Sequence, residues 1–226
     1  MFDISLLEKE KVDTILIPGD ICHSHLSKEA FDLTLETENI NAGCWDEPQI
    51  ALELLRKLPQ IAPTFLSIGN HESDWNYIDK QFVRETGTIL LDNEFVKVKD
   101  VIICGISSPT RHSSKNQNVP KDVNGVISDA EKEDGTKILL LHEPHLYYSY
   151  GISERKIDLV ISGHAHGGQW RFFNRGVFAP GQGLFPKYTK GLYDNKLLVS
   201  AGMSNTAYPI PRLFNPQEIV IIEPVI

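Results

Sequence analysis

Four apolar stretches of strand length each end in side chains that can bind a divalent cation. These side chains are Asp20, Asn70, His142 and His164, with His166 two residues further on. Side chains that follow different parallel strands can meet, because ligands of α/β sheets bind beyond the carboxyl ends of the strands. Imidazole nitrogens with carboxylate and amide oxygens suit Zn²⁺, Mn²⁺ or Fe. The pattern predicts a metal site, and metal-assisted hydrolysis as its chemistry.

Each of these features alone has an ordinary structural explanation. Gly-Asp after a strand is a common turn, and Gly-Asn-His-Glu at 69–72 is a turn or a helix cap. His142 alone is more often a satisfied polar residue than a ligand. The sequence GHAHGGQ at 163–169 is more specific, because two imidazoles lie on a glycine-lined loop that a ligand can approach closely. All four features at strand ends together favour the metal site.

Composition indicates a folded globular protein and argues against several classes. The chain has 226 residues, with 22 Lys and Arg against 30 Asp and Glu, and a net charge of -8. It therefore has no overall basic field for general nucleic-acid binding. Cys22, Cys44 and Cys104 show no Cys-x-x-Cys spacing, which favours buried thiols over a disulfide framework or a thiolate zinc site. No apolar run approaches the roughly 20 residues of a membrane helix, and no leader is visible.

Periodicity predicts alternating strands and helices in the first half of the chain. Strands are expected at 14–18 and 64–68, each followed by a polar loop. Helices are expected at the N-terminus, at 27–38, at 48–58 with Asp46 as a cap, and from a cap at Asp74 to Gly87. The stretches 88–91, 94–99 and 101–106 predict short strands that pair antiparallel.

The second half continues this pattern without a visible domain boundary, so residues 1–226 are expected to form one domain. Residues 107–121 are polar, and both a mobile loop near a ligand and a solvated linker are open interpretations. A helix is expected up to Glu133. Further strands are expected at 138–141, 159–161, 170–173, 197–200 and 219–223.

The ordered motifs resemble those of the calcineurin-like metallophosphoesterase superfamily. The motifs are Gly19-Asp20, Gly69-Asn70-His71-Glu72, His142-Glu143-Pro144 and the segment 163–169. The resemblance covers nearly the whole chain, and the tail is similar to a bacterial branch of small, often membrane- or cell-wall-associated phosphoesterases. It implies an α/β fold, a sandwich of two mixed β-sheets flanked by helices, with a dinuclear metal centre at the strand ends.

The resemblance also implies roles for single residues. Asp20 would bridge two divalent ions of Mn, Zn or Fe, and His166 would belong to the second site. Asn70, His142 and His164 would complete the first site. The implied reaction is phosphoester hydrolysis, with diesters favoured, by in-line attack of a metal-activated water.

Further side chains would assist this reaction. His71 would protonate the leaving oxygen as the general acid. Arg212 and Lys187 are candidates for binding the phosphoryl oxygens, although a solvated surface position is the alternative for each. The substrate would be a small-molecule or lipid-linked phosphoester.

The family's first motif, Asp-x-His, is absent, because Asp3 is followed by Ile4 and Ser5. The chain is therefore expected to lack the first strand through N-terminal truncation, or to have lost half of one metal site. One metal per chain and little turnover are then expected, and the alternative function is binding of metal and phosphate without turnover. Membrane or cell-wall association would come through the missing segment.

His23 lies where the family often has an acid. Three roles are open for His23 and His25: surface residues, partners of other side chains, or replacement ligands.

Overall fold

The computed structural model of the chain describes residues 4–28, 48–109, 121–203 and 211–223. The helices are α1 (Ser5–Glu10), α2 (Pro48–Ile61), α3 (Tyr77–Glu85), α4 (Lys121–Ala130) and α5 (Leu146–Ser149). The strands are β1 (Ile15–Ile17), β2 (Thr64–Ser67), β3 (Ile89–Leu91), β4 (Glu94–Val98), β5 (Val101–Ile106), β6 (Thr136–Leu141), β7 (Leu159–Ser162), β8 (Arg171–Phe172), β9 (Arg175–Gly176), β10 (Phe178–Ala179), β11 (Gly183–Leu184), β12 (Gly191–Tyr193) and β13 (Leu197–Val199).

The larger strands form two sheets. One is a parallel sheet of order β1-β2-β3. The other has the order β12-β13-β7-β6-β5-β4, and its inner strands are parallel while β4 and β12 pair antiparallel at its edges. The loops after β1, β2, β6 and β7 all leave carboxyl ends of parallel strands, as the positions of the candidate ligands predict.

The two sheets pack face to face, which confirms the predicted two-sheet sandwich. The larger sheet is mixed, as predicted, whereas the described strands of the smaller sheet are parallel. Phe65 and Leu91 of the three-stranded sheet are buried in one apolar cluster with residues of the six-stranded sheet, including Leu140. Close packing requires a glycine at position 105, because a Cβ there would lie 2.4 Å from the Cβ of Leu91. The helices cover the outer faces: Leu55 of α2 packs on the smaller sheet, and residues of α4 and α5 pack on the larger one.

The structure corrects two of the predicted elements near the centre of the chain. Asn76, and not Asp74, caps α3. Its side chain accepts the backbone N–H groups of Ile78 and Asp79, and the Asp79 carboxylate accepts the backbone N–H of Asn76. β3 pairs parallel with β2 and not antiparallel with β4. The turn at 92–93 instead carries the chain from one sheet to the other, so that both faces of β3 are covered.

The C-terminal prediction also needs correction. Residues 219–223 form no strand, since they have no ladder partner among the described residues. Ile219 packs instead against the cluster between α1 and α2. Most of the predicted helix at 27–38, the Asp46 cap, Asp3 and most of the 107–121 loop lie outside the described residues. Cys22 and Cys104 are buried, as expected. Over the described ranges, no helix has the length and apolar character needed to cross a membrane.

Candidate metal centre

Two neighbouring strand ends of the smaller sheet place Asp20 beside Asn70. The loops after β1 and β2 touch through two glycines: a Cβ on Gly19 would lie 2.5 Å from the Gly69 Cα, and a Cβ on Gly69 would lie 2.3 Å from Asp20 Oδ1. Only glycine permits this approach. Gly19 also has a φ of 104°, which favours glycine independently. The two Gly-polar motifs of the sequence therefore bring the two side chains together.

Two strand ends of the larger sheet supply the histidines. His142 follows β6 directly, and the loop after β7 carries His164. The N–H of Gly163 donates to the His142 carbonyl at 3.0 Å, which keeps these two loops side by side. The sandwich thus brings side chains from both sheets to one place.

Four donor atoms converge there. The Nε2 atom of His142 lies 2.9 Å from Asp20 Oδ2 and 3.1 Å from Asn70 Oδ1. His164 Nδ1 lies 2.7 Å from Asn70 Oδ1 and 3.3 Å from His142 Nε2. Two ligands at about 2.1 Å from one ion and at right angles to each other lie about 3.0 Å apart. The spacing therefore fits a common ion, and the mixed nitrogen and oxygen donors fit Mn²⁺, Zn²⁺ or Fe.

A backbone carbonyl orients His142. Its Nδ1 lies 2.9 Å from the Pro18 oxygen, so Nδ1 carries a proton and Nε2 faces Asp20. Burial lowers the pKa of His142. The charge of Asp20 and its hydrogen bond outweigh this effect and raise the pKa to about 9. Burial alone would raise the pKa of Asp20. The nearby His142 and His71 outweigh burial and bring this pKa well below its usual range. Without a cation the Asp20–His142 contact is therefore an ion pair, and a cation would replace the His142 proton.

The imidazoles of His164 and His166 are held neutral. Burial, with the positive His142 nearby, lowers the pKa of His164 to about 3. Burial and the charge of Arg212 lower the pKa of His166 to about 4. Neutral imidazoles have a free lone pair, which is the form that binds metal.

Backbone strain concentrates at these positions. Asp20, His164 and His166 have φ values of 57°, 63° and 47°. Residues other than glycine seldom adopt this left-handed region, and such residues cluster at functional sites. Asn215 helps to hold the strained turn, since its Nδ2 donates to the His166 carbonyl at 2.6 Å. No motif in the sequence indicated this contact.

Glu72 joins the two loops of the smaller sheet. Its buried carboxylate accepts three backbone N–H groups, from Asp20 at 2.8 Å, Gly69 at 2.9 Å and Cys22 at 2.9 Å. Burial and the nearby Asp20 charge raise the pKa of Glu72 to about 7, against the effect of these bonds. The sequence placed Glu72 in a motif but did not show that it positions Asp20.

His71 lies beside the four donor atoms. Its backbone N–H donates to Asp20 Oδ1 at 3.0 Å, and its Nε2 lies 3.8 Å from Asp20 Oδ2. Its Nδ1 contacts Nδ1 of His23, with the ring centroids 4.4 Å apart. His25 points elsewhere, because its Nδ1 lies 2.8 Å from Asp79 Oδ2. His23 thus partners another side chain, one of the roles left open by the sequence.

The two candidate phosphate-binding cations lie in different surroundings. Arg212 donates to the Ala201 carbonyl and lowers the pKa of His166, which places its charge near that ring. The Lys187 ammonium lies 4.7 Å and 4.8 Å from the ring centroids of Tyr148 and Tyr188. Arg212 is therefore the better-placed candidate, and the role of Lys187 stays a prediction.

Fold and site define a two-sheet α/β protein with a candidate metal centre at the strand ends. The family model of calcineurin-like phosphoesterases matches residues 3–168, which include Asp20, Asn70, His71, His142, His164 and His166. The chain belongs to this family.

Curated relatives carry names of the same class. An uncharacterized metallophosphoesterase of Helicobacter pylori is 28% identical over 96% of this chain and 56% of its own length. One from Aquifex aeolicus is 25% identical over 86% of this chain and 73% of its own length. Cj0846 of Campylobacter jejuni, also an uncharacterized metallophosphoesterase, is 32% identical over 70% of this chain and 41% of its own length. The chain spans about half the length of the Helicobacter relatives.

Proposed function

We propose that the chain hydrolyses phosphoesters, with diesters preferred, at a divalent cation bound by Asp20, Asn70, His142 and His164. The observation that carries this proposal is the convergence of four donor atoms from four strand ends. Membership of the calcineurin-like phosphoesterase family supports the reaction class. A divalent cation in this place supplies an activated water and neutralises charge on the phosphoryl group.

The two oxygens of Asp20 have separate roles in this proposal. Oδ1 accepts the His71 backbone N–H at 3.0 Å, while Oδ2 faces His142 Nε2. The carboxylate thus fixes the general acid on one side and contributes a ligand atom on the other.

His71 acts as the general acid. Its Nε2 is directed toward Asp20 Oδ2, beside the converging ligands, and its Nδ1 contacts His23. This arrangement leaves Nε2 as the atom that holds a proton for the leaving oxygen. Protonation matters most for leaving groups that are strong bases.

Charge supports diesters over monoesters. A diester carries one negative charge and a monoester carries nearly two at neutral pH. Among the described residues, Arg212 is the arginine whose charge acts on His166, and one guanidinium matches the smaller charge of a diester better. A small-molecule and a lipid-linked diester both satisfy this requirement.

His166 and Asp20 would contribute to a second ion, which we expect to bind more weakly.

The proposal is tested by assaying bis-(p-nitrophenyl) phosphate and p-nitrophenyl phosphate with Mn²⁺ present and with chelator. We expect slow Mn²⁺-dependent hydrolysis, since the Asp-x-His motif is absent, with the higher kcat/KM for the diester. Asp20→Asn should abolish both activities, and the surface substitution Glu53→Gln should change neither. Metal and phosphate binding without hydrolysis, at saturating Mn²⁺, would instead support the alternative of a binding protein without turnover.

A further inference from the structure

Large apolar side chains are exposed on the hairpins that follow the His166 turn. The strands β8 and β9 form one hairpin, and β10 and β11 form the next. Phe173 is 100% exposed, Leu184 70% and Phe185 76%, and Phe214 of the adjoining segment is 78% exposed. Concentrated apolar exposure of this kind marks a surface that binds something.

Hydrogen bonds and ring contacts join these residues into one surface. The rings of Phe172 and Phe214 have their centroids 5.7 Å apart. Val177 donates to the Trp170 carbonyl at 2.8 Å and accepts from the Phe185 N–H at 2.8 Å. We name this surface the aromatic face, and it consists of Trp170, Phe172, Phe173, Phe178, Leu184, Phe185, Leu213 and Phe214.

The backbone of the aromatic face is strained at three of its phenylalanines. Phe173, Phe185 and Phe214 have φ values of 48°, 50° and 52°. Bulky residues rarely adopt this left-handed region, where glycine and asparagine are favoured. These rings are neither buried nor suited to their backbone, so folding gives no reason for phenylalanine at these positions. A function outside the folded core explains them better.

The surroundings of the aromatic face are positively charged. Residues 170–193 include Arg171, Arg175, Lys187 and Lys190 but no Asp or Glu, although the whole chain has a net charge of -8. The next acid, Asp194, accepts a hydrogen bond from the Tyr148 hydroxyl. Lys190 pairs with Glu218, while Arg175 and Lys187 are exposed. A binding partner of this surface should therefore be apolar and negatively charged.

We propose that the aromatic face docks the protein on the surface of an anionic lipid bilayer. Exposed aromatic rings insert at the boundary of headgroups and acyl chains, and flanking Arg and Lys bind lipid phosphates. A fluid lipid bilayer accommodates rings that project from turns without a preformed groove. A symmetric contact with a second copy would instead bring the same cations together. This inference is independent of the proposed hydrolysis.

The test is binding of the protein to phosphatidylcholine vesicles with and without phosphatidylglycerol, measured by flotation at low and high salt. We expect binding to the anionic vesicles that weakens with salt. The triple variant Phe173→Asn, Phe185→Asn and Phe214→Asn should bind at least about tenfold more weakly. Its melting temperature should stay the same or rise, because asparagine tolerates positive φ.

Two controls distinguish membrane docking by the aromatic face from adhesion through any exposed ring and from self-association. Tyr77→Asn changes an aromatic residue on α3 that is 75% exposed, and it should leave vesicle binding unchanged. Equal vesicle binding by a folded triple variant, or no binding by the unaltered protein, overturns the proposal. So does a dimer in sedimentation that the triple variant abolishes, because the face would then bind a second copy.

Discussion

The carboxylate of Glu72 accepts the backbone N–H of Asp20 at 2.8 Å. The same side chain accepts N–H groups from Cys22 and Gly69, so one buried residue fixes the loops after β1 and β2. The position of Asp20 beside Asn70 thus depends on a residue that does not face the donor atoms itself.

Replacement of Glu72 by glutamine should therefore weaken both the fold and the metal site. An amide has one acceptor oxygen, so at least one buried N–H loses its partner, which destabilises the protein by about 1–3 kcal/mol. Urea unfolding at pH 8 measures this loss, and Mn²⁺ titration should show weaker binding. Glu53→Gln is the control, because its ion pair with Lys57 lies on the surface and contributes less than about 1 kcal/mol. Equal stability of the two variants contradicts the role of Glu72.

Metal affinity should rise with pH. The pKa of His142 lies at about 9 without metal, because Asp20 raises this pKa by more than burial lowers it. A proton must therefore leave Nε2 when a cation binds at neutral pH, and affinity should rise about tenfold per pH unit below 9. Calorimetry in buffers of different ionisation enthalpy should detect about one released proton. Affinity that is constant between pH 6.5 and 8.5 would contradict the ion pair between His142 and Asp20.

His71→Ala should retain metal but lose the general acid. We expect kcat to fall by about 10²–10⁴ for diesters with alkyl leaving groups, and much less for p-nitrophenolate, which leaves without protonation. Steady-state kinetics over a series of leaving groups measures this difference. His25→Ala is a matched control, because His25 contacts Asp79. Loss of bound metal in His71→Ala, with no dependence on the leaving group, would show that His71 acts as a ligand.

His23 should position His71 through the contact between their Nδ1 atoms. His23→Ala is expected to lower kcat by about tenfold, again mostly for poor leaving groups. His23→Asn places a polar atom close to the former Nδ1 and should recover part of the rate. Kinetics that do not distinguish alanine from asparagine at this position would rule out a positioning role.

Most of the fold could be predicted from periodicity. Leu139, Leu140 and Leu141 predict a strand covered on both sides, and β6 is the buried strand found. The pairing of β3 could not be predicted, because its leucines suit either sheet and the turn at 92–93 gives no sign that the chain changes sheets. The sequence places the cap of α3 two residues early, because Asp74 and Asn76 both favour that position.

The candidate metal ligands could be predicted from the sequence, because each one follows a predicted strand. Asp20, Asn70, His142 and His164 each follow a strand, and ligands of α/β sheets bind beyond the carboxyl ends of the strands, which groups these four residues. Glu72 and Asn215 bind the backbone of Asp20 and His166, which have positive φ, and His23 contacts His71 across two loops; the sequence pattern does not encode these loop conformations. The supporting residues therefore could not be assigned from the sequence, whereas the candidate ligands could be grouped by their places at strand ends.

The most direct test is anomalous scattering from crystals of the protein grown with Mn²⁺. Among the described residues, one group of three side chains that could hold a metal ion converges, formed by Asp20, His142 and His164. We therefore predict one strong anomalous peak at about 2.0–2.4 Å from Asp20 Oδ2, Asn70 Oδ1, His142 Nε2 and His164 Nδ1. A strongest peak bound by other residues, or no peak at these four atoms in Mn²⁺-saturated crystals, would contradict the proposed metal centre.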